Sequence, residues 1–359
     1  MIPLVKVGLP SKDKLMPRLE QVIYSGIIAE GEEVYSFEKE FSEKFGYESC
    51  YAMSSGTACL HASLTLSGVL EGSEVITTSM TAEPTNLSIL YVGGTPVFAD
   101  VDGAGNICPE SVREKITHKT KAIIAVHYAG YPAQLGKLRQ IADEFGVSLI
   151  EDCAHALGAK YKDSPIGSYG DFSIFSFQAI KHMTTVDGGM LITKKDMDEE
   201  IKRFRWFGML KGGDRTKMNI TTLGYKYNMT NVAAVIGRVQ LEEIEGKINR
   251  HIENGKYFDT KLKNIEGVEV INLPDYVLPS YWLYTLKVEN SDVLIDKLSN
   301  IGIQASKLHK LNHHHEIFKS KDENLPKLKE FYRKLIHIPC GWWVDDILRA
   351  KIVECIKHN

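Results

Sequence analysis

The chain has 359 residues, of which 43% are hydrophobic and 25% are charged. That length can form one large domain and a smaller one, each with an apolar core. The 43 lysines and arginines nearly balance the 46 acidic residues, which gives a formal net charge of -3. This balance offers no electrostatic reason to expect a nucleic acid or an anionic membrane as partner.

The cysteines and the first residues bear on where the protein works. The six cysteines are scattered singly, without CxxC spacing, so we expect free thiols in a reducing compartment rather than disulfides or a zinc site. The opening MIPLVKVGLP lacks the basic start and apolar run of a signal peptide, and no stretch of about 18 uninterrupted apolar residues occurs. We therefore expect a soluble, cytoplasmic protein.

Short β-branched runs alternate with helical patterns between residues 50 and 195, which is typical of βαβ units and a mostly parallel sheet. The periodic segment that begins at Asn231 predicts one or two helices leading out of this sheet. We place a boundary near residue 245, giving a large domain over 1–245 and a small α+β domain over 246–359. The predicted strands of the large domain are 74–77, 96–100, 122–126, 148–152, 172–177 and 190–193.

The motif SSGTA, which ends with Gly56, Thr57 and Ala58, follows a strand-like run and opens an apolar helix. Small residues there let backbone N–H groups and hydroxyls close around an anion, and the helix N-terminus favours negative charge. Serine and threonine also cap many helices, so a simple N-cap is an equally open interpretation of this motif alone.

Asp152 ends an apolar strand in LIEDCAHALGAKY, where an acid is either a strand-end cap or the partner of a cationic ligand atom. The ring nitrogen of pyridoxal phosphate is such an atom. A carboxylate beside it keeps the ring protonated, so that the ring can accept electrons. His155, three residues later, either bonds the hydroxyl of that ring or is a structural histidine.

Lys181 follows the apolar run FSIFSFQAI and precedes a Gly-Gly turn. A lone lysine is usually a solvated surface charge. The apolar run before Lys181 indicates instead a partly desolvated lysine, whose pKa is lowered and whose amine is nucleophilic. Ser176, at the end of the same strand, is placed to give its hydroxyl to a phosphate.

Seven motifs in this order and spacing resemble the DegT/DnrJ/EryC1/StrS family of pyridoxal-phosphate-dependent sugar aminotransferases. The resemblance implies an α/β fold of the fold-type I class, with a mostly parallel seven-stranded sheet between helices and a smaller C-terminal α+β domain. The motifs are YSGIIAEGEEVYSFEKEF, SSGTACL, GSEVITTSMT, GGTPVFADVD, EDCAHALGA, FSFQAIKHMTTVDGG and LGYKYNMTNVAAVIGRVQLEEIE.

The resemblance also implies roles for single residues. Lys181 matches the catalytic lysine that holds pyridoxal 5′-phosphate as a Schiff base. Asp152 matches the acid paired with the pyridine nitrogen, and His155 matches the position near the ring hydroxyl. The cradle of the cofactor phosphate is implied at Gly56, Thr57, Ala58 and Ser176.

Further positions concern the partner subunit, the sugar and two departures from the family pattern. Lys226 matches a position, often asparagine, that reaches the phosphate of the neighbouring subunit's cofactor, so a homodimer with shared active sites is implied. We expect His309 or Asn312 to contact the sugar. Ala82 stands where many members place an aromatic ring over the cofactor, and Val186 replaces a common glycine.

The function implied by the resemblance is amino transfer from glutamate to the keto sugar of a nucleotide-diphosphate sugar. The freed amine of Lys181 acts as general base and general acid in this reaction. A 4-keto-6-deoxy hexose is the commonest acceptor in the family, and its aminated product serves cell-surface polysaccharide such as O-antigen, or a related glycan.

Alternatives stay open at this point. A dehydratase on the same fold typically has histidine in place of the catalytic lysine, and His182 lies beside Lys181, although the FSF spacing favours Lys181. A regulatory protein that binds pyridoxal phosphate without turnover is a third possibility. No GxGxxG motif follows an early strand, which argues against a nicotinamide enzyme.

The three consecutive histidines at 313–315 raise the question of a metal site. No matched set of carboxylates or cysteines accompanies them, so a loop near the substrate entrance is favoured over a metal site.

Overall fold

The computed structural model describes residues 1–318 and 324–358. Its strands confirm the six predicted for the large domain to within two residues at each end. They are β1 (Ser49–Met53), β2 (Glu74–Thr78), β3 (Thr95–Ala99), β4 (Thr120–Val126), β5 (Ser148–Asp152), β6 (Lys160–Tyr161), β7 (Ser164–Pro165), β8 (Phe172–Ser176), β9 (Gly189–Thr193), β10 (Val268–Val270), β11 (Val277–Leu278), β12 (Tyr284–Val288) and β13 (Leu335–Ile338).

Seven of these strands form the central sheet, in the order β1-β9-β8-β5-β4-β2-β3. Only β9 runs against the other six, so the sheet is mostly parallel, as expected. In β4, Ile123 and Ala125 pack into the core on one face, whereas Ala122, Ile124 and Val126 pack into the core on the other. This alternation shows that helices cover both faces of the sheet.

The helices are bounded by ordinary capping residues. Ser55 and Thr230 accept hydrogen bonds from backbone N–H groups in the first turns of α3 and α8. Gly46 and Gly146 end α2 and α6 in the left-handed conformation. The helices are α1 (Lys12–Tyr24), α2 (Glu32–Phe45), α3 (Gly56–Leu66), α4 (Glu83–Tyr91), α5 (Pro109–Lys115), α6 (Leu135–Phe145), α7 (Asp198–Arg205), α8 (Asn231–Leu241), α9 (Ile244–Leu262), α10 (Ser291–Asn300), α11 (Pro326–Lys334) and α12 (Asp346–Lys357).

The C-terminal part has its own antiparallel sheet, β10-β12-β13, and its own apolar core. The first residues of the chain join this part: Ile2 donates its N–H to the Gly302 carbonyl (2.7 Å) and accepts from the Gln304 N–H (2.9 Å). Leu4 is buried in the same core. The predicted division at residue 245 therefore leaves out a contact that the N-terminus makes with the small domain.

Among the described residues, none of the helices combines the length and the hydropathy that would be needed to span a bilayer.

Candidate active site

A cavity of about 480 Å³ lies beyond the carboxyl ends of β2, β4, β5 and β8. Open α/β sheets bind ligands at this edge, because the loops that leave the strands converge there. Seven residues selected from the sequence line this one cavity, namely Gly56, Thr57, Asp152, His155, Ser176, Lys181 and His309.

Asp152 is buried at the end of β5, and both of its oxygens are held. Oδ2 accepts a hydrogen bond from the Thr85 hydroxyl (2.8 Å), and Oδ1 accepts one from the Ala154 N–H (3.1 Å). Burial raises the pKa of Asp152, and these hydrogen bonds and the charge of Lys181 only partly offset it. The charged form of Asp152 is therefore not fully stabilised by its neighbours. Such a buried carboxylate fits a cationic ring nitrogen, such as that of pyridoxal phosphate.

Lys181 lies in the loop after β8 and faces the cavity. Burial lowers the pKa of its amine to about 8, against the opposing charge of Asp152. Its neighbour His182 is turned away, with Nε2 3.3 Å from the Ser280 carbonyl and its ring 4.6 Å from that of His251. The structure thus presents a lysine to the cavity and packs the adjacent histidine into the interior.

His155 has a fixed tautomer. Its Nδ1 accepts a hydrogen bond from the Ala129 N–H (3.3 Å), and burial holds the pKa of the ring well below its ordinary value. A neutral imidazole that accepts at Nδ1 carries its proton on Nε2, so His155 is a hydrogen-bond donor there. Ala129 adopts a left-handed conformation (φ 54°), which orients this N–H. The arrangement suits a donor to the oxygen of a cofactor ring.

The first turn of α3 and the end of β8 approach closely enough to form a phosphate site. A Cβ on Gly56 would lie 2.9 Å from the Ser176 Cβ, so only glycine allows this approach. Backbone N–H groups in the first turn of a helix have no helical partner and attract anions. Ala58 differs from the prediction: its N–H donates to the Ser55 hydroxyl (3.0 Å), and the residue does not line the cavity.

We call Asp152, His155 and Lys181 the floor of the cavity, and Ala82, Glu83 and His309 its mouth. At the mouth, the Glu83 carboxylate lies 4.0 Å from Nδ1 of His309. Within the described part of the chain, Nε2 of His309 is buried without a hydrogen-bond partner, and burial lowers the pKa of this ring to about 4. His309 therefore presents a neutral ring to the cavity.

The rings of His309 and His155 are nearly parallel, with an angle of 4° and centroids 6.4 Å apart. Ala82 lines the cavity with only a methyl group. Among the described residues that line the cavity, aromatic rings are supplied by His155 and His309, and not at position 82.

Two further residues expected at the site also lie outside the cavity lining. Asn312 is fully buried: its Nδ2 donates to the Thr81 carbonyl (2.9 Å) and its Oδ1 accepts from Nδ2 of Asn86 (2.8 Å). Because its side chain is used by these bonds, Asn312 ties its loop to the end of β2 instead of facing the sugar. Lys226 is exposed, with Nζ 4.0 Å above the Trp206 ring, outside the cavity of its own chain.

Three residues of the site had no recognisable signal in the sequence. Thr85 holds Asp152, Glu83 faces His309, and Trp282 contacts both Lys181 and His155. Glu83 and Thr85 lie in the first turn of a helix, and Trp282 precedes a strand 101 positions after Lys181. Nothing local distinguishes them from residues that pack or cap, because their roles arise from the tertiary fold.

A second cluster, His127, Glu151 and Cys153, has metal-binding residue types within 4.8 Å of one another. Burial keeps the pKa of the Cys153 thiol well above its ordinary value, which disfavours the thiolate that binds metals. The Glu151 carboxylate is already surrounded by donors, which gives it a structural role. Those donors are His127 Nε2 and the N–H groups of Gly167, Tyr169 and Gly170.

Residues 11–357 match the model of the DegT/DnrJ/EryC1/StrS aminotransferase family. The chain belongs to this family. It is 30% identical over 357 residues to the spore coat polysaccharide biosynthesis protein SpsC of Bacillus subtilis, covering 94% of the chain and 92% of that protein. It is 34% identical over 349 residues to the uncharacterized protein MJ1066 of Methanocaldococcus jannaschii, covering 92% and 90%.

Solved structures that are similar to this chain include aminotransferases. The sugar aminotransferase CalS13 from Micromonospora echinospora superposes with a TM-score of 0.96 at 32% identity, and each chain is fully covered. AtS13 from Actinomadura melliaura gives 0.96 at 33% identity, covering 100% and 99%. Spr1654 from Streptococcus pneumoniae, solved in both PLP and PMP forms, gives 0.91 at 26% identity, with each form covering at least 98% of both chains.

Family membership confirms three predictions made from the sequence. The chain has the fold-type I architecture, it is an aminotransferase, and pyridoxal 5′-phosphate is its cofactor. The roles of the individual residues stay predictions, which the geometry of the cavity supports for Lys181 and Asp152.

Proposed function

We propose that this aminotransferase moves the amino group of glutamate to the keto sugar of a nucleotide-diphosphate sugar, with a 4-keto-6-deoxy hexose as acceptor. The product would serve a cell-surface polysaccharide such as O-antigen or a related glycan. Support comes from the sugar aminotransferase CalS13, which superposes over its full length, and from the polysaccharide biosynthesis protein SpsC.

The observation that carries the proposal is the juxtaposition of Lys181 and Asp152 in one cavity. Pyridoxal phosphate, when bound, supplies an electron sink for the carbanion at the donor Cα. Asp152 would stabilise positive charge at the ring nitrogen, and His155 would donate from Nε2 to the ring oxygen. Lys181 would hold the cofactor and would move the proton at the donor Cα, because about half of its amine is neutral near pH 8.

The phosphate of the cofactor would bind between Ser176 and the first turn of α3, at Gly56 and Thr57. The sugar would enter at the mouth, where His309 and the carboxylate of Glu83 line the cavity. A neutral imidazole and a carboxylate at the cavity mouth would suit a hydroxyl-rich acceptor.

A homodimer with shared sites completes the proposal. Lys226 lies outside the cavity of its own chain, on an exposed surface with Trp206 and Lys211. Ile27, Ile28 and Leu223 are large exposed apolar side chains of the neighbouring segments. Exposed apolar residues close to a cationic group suit a surface that docks on a second copy and delivers Lys226 to its phosphate.

The experiment follows the absorption spectrum of the purified protein with pyridoxal phosphate, before and after L-glutamate. We expect the visible band of the lysine-linked cofactor to appear and to be lost when glutamate is added. Lys181→Ala should never show this band. Lys247→Ala is the matched control, because Lys247 is another partly buried lysine whose pKa burial lowers, but it bonds the Gly8 carbonyl away from the cavity.

Two outcomes would count against the proposal. If wild-type protein forms no visible band, the transaminase assignment fails. If the band forms but no amino donor changes it, a dehydratase or a regulatory protein becomes the better interpretation. A panel of nucleotide-linked keto sugars, tested by the return of the band in glutamate-treated protein, then identifies the acceptor.

A further inference from the structure

The indole of Trp282 is enclosed beside the floor of the cavity, with 2% of the residue exposed. Its backbone is fixed by the loop after β4. A Cβ on Gly130 would lie 2.7 Å from the backbone nitrogen of Trp282. The loop after β4 and the segment that contains Trp282 can therefore approach this closely because residue 130 is glycine. The flanking N–H groups of Ser280 and Leu283 donate to the carbonyls of Gly130 (3.0 Å) and Ala129 (3.2 Å).

The Trp282 side chain contacts Lys181, His155 and the backbone that leads into Lys181. Nε1 of Trp282 donates to the Ile180 carbonyl (3.0 Å), which belongs to the peptide bond that leads into Lys181. The Lys181 amine lies 4.4 Å from the centroid of the indole. The same indole stacks on His155, with centroids 4.0 Å apart and planes 17° apart.

The contact with Lys181 has a definite electrostatic sign. The face of an indole carries negative charge density and attracts an ammonium group, most strongly where water is excluded. Burial of the same amine acts in the opposite sense, because it favours the neutral form. Two opposing effects therefore act on the Lys181 amine: burial favours the neutral form, and the indole favours the protonated form.

We propose that Trp282 is a positioning residue whose indole face stabilises the protonated form of the Lys181 amine and keeps His155 aligned. This inference rests on the proposed function, in which Nζ of Lys181 takes a proton from the donor Cα and later gives it up. Between those two transfers the nitrogen is an ammonium. The indole gives that ammonium a defined place from which the proton is delivered.

The test uses the apoenzyme and measures how fast it captures pyridoxal phosphate as a function of pH. Capture requires the neutral amine, so the rate reports the midpoint of Lys181 titration. We expect Trp282→Leu to shift this midpoint downward, by about half a unit to one unit, because the cation–π contact is lost. Trp282→Phe retains an aromatic face and should stay near the wild-type midpoint.

The direction of the shift distinguishes this role from a purely structural one. If the indole only excluded water, its removal would hydrate the amine and raise the midpoint. An unchanged or raised midpoint in folded Trp282→Leu protein would overturn the inference. Trp343→Leu is the matched control, because Trp343 also donates to a backbone carbonyl, that of Pro3 (3.1 Å), but its ring packs against His251 and not against Lys181 or His155.

A second measurement follows one turnover with glutamate. In Trp282→Leu we expect the rate of band loss to fall by about 10- to 30-fold, with the apparent KM for glutamate changed little. Restoration of most of the rate in Trp282→Phe supports the inference, and a loss confined to KM contradicts it. Since capture needs neither glutamate nor sugar, a protein that shows the midpoint shift but ignores glutamate would refute the proposed function and not this inference.

Discussion

The floor and the mouth of the cavity are built in opposite ways. At the floor, Asp152 has both oxygens hydrogen-bonded and His155 has its Nδ1 bonded to a backbone N–H. At the mouth, Nε2 of His309 is buried without a partner in the described structure, and Glu83 is 37% exposed. The floor side chains Asp152 and His155 are held by hydrogen bonds to the protein, whereas the mouth side chains have fewer such bonds.

This difference matches the two binding tasks of the enzyme. A cofactor that is always the same favours side chains locked by their neighbours, because a preorganised site loses little free energy on binding. In the proposed function the sugar acceptor would bind at the mouth, where polar side chains can be changed one at a time. We therefore expect substitutions at the floor to abolish chemistry, and substitutions at the mouth to change which substrate is bound.

The largest effect is expected for Asp152→Asn, which removes the charge and keeps the shape. The rate with glutamate should fall by about 10²- to 10³-fold, on the scale of losing one preorganised electrostatic group. Stopped-flow measurement of band loss reports this rate. Asp171→Asn is the control, because Asp171 accepts from the Leu149 N–H and pairs with Arg139 outside the cavity. A loss under tenfold would contradict the assigned role.

Thr85→Val should weaken cofactor binding by about tenfold or more, because a hydrogen bond to a charged group contributes about 1.5–3 kcal/mol. Its hydroxyl donates to Asp152 (2.8 Å), and the bond lowers the pKa of that carboxyl. Equilibrium titration of apoenzyme with pyridoxal phosphate measures the change. Thr77→Val removes a comparable buried bond, to Asn86, and should leave cofactor affinity unchanged. Equal losses in both variants would indicate general destabilisation.

Cofactor capture by wild-type apoenzyme should rise about tenfold between pH 7 and pH 9 and level off above that. The pKa of Lys181 is lowered to about 8 by burial. The reactive neutral amine therefore increases from about a tenth to about nine tenths of the molecules over this range. A rate that still climbs steeply above pH 10 would show that the lysine is solvated and has its ordinary pKa.

The sequence predicted part of the cavity for a physical reason. Asp152 and Ser176 end strands whose carboxyl ends meet at one edge of the sheet, and Lys181 follows one of these strands, so their proximity follows from a parallel sheet. Ala58 and Asn312, which we expected at the site, do not line the cavity, because the Ala58 N–H bonds to Ser55 and the Asn312 amide bonds to Thr81 and Asn86. Thr85, Glu83 and Trp282 could not be found, since only the packed chain brings them to the cavity or beside Lys181.

Val186, which replaces a glycine common in the family, has a left-handed backbone conformation (φ 72°). Glycine adopts this conformation without strain, whereas a β-branched residue seldom does. The valine side chain is 64% exposed.

The smallest expected effect, and the sharpest test of the comparison, is at Glu83. Glu83→Gln keeps the size of the side chain and removes the charge that faces His309 (4.0 Å). Because neither group hydrogen-bonds to Asp152, His155 or Lys181, the rate of the glutamate reaction should stay within about twofold of wild type. The apparent KM for the sugar acceptor should rise about three- to tenfold, the cost of one exposed polar contact of about 1 kcal/mol.

His309→Ala should raise the same KM and leave the glutamate reaction equally intact. If either variant slows the reaction with glutamate as strongly as the reaction with the acceptor, the mouth contributes to chemistry, and the division of the cavity into two independent halves is wrong.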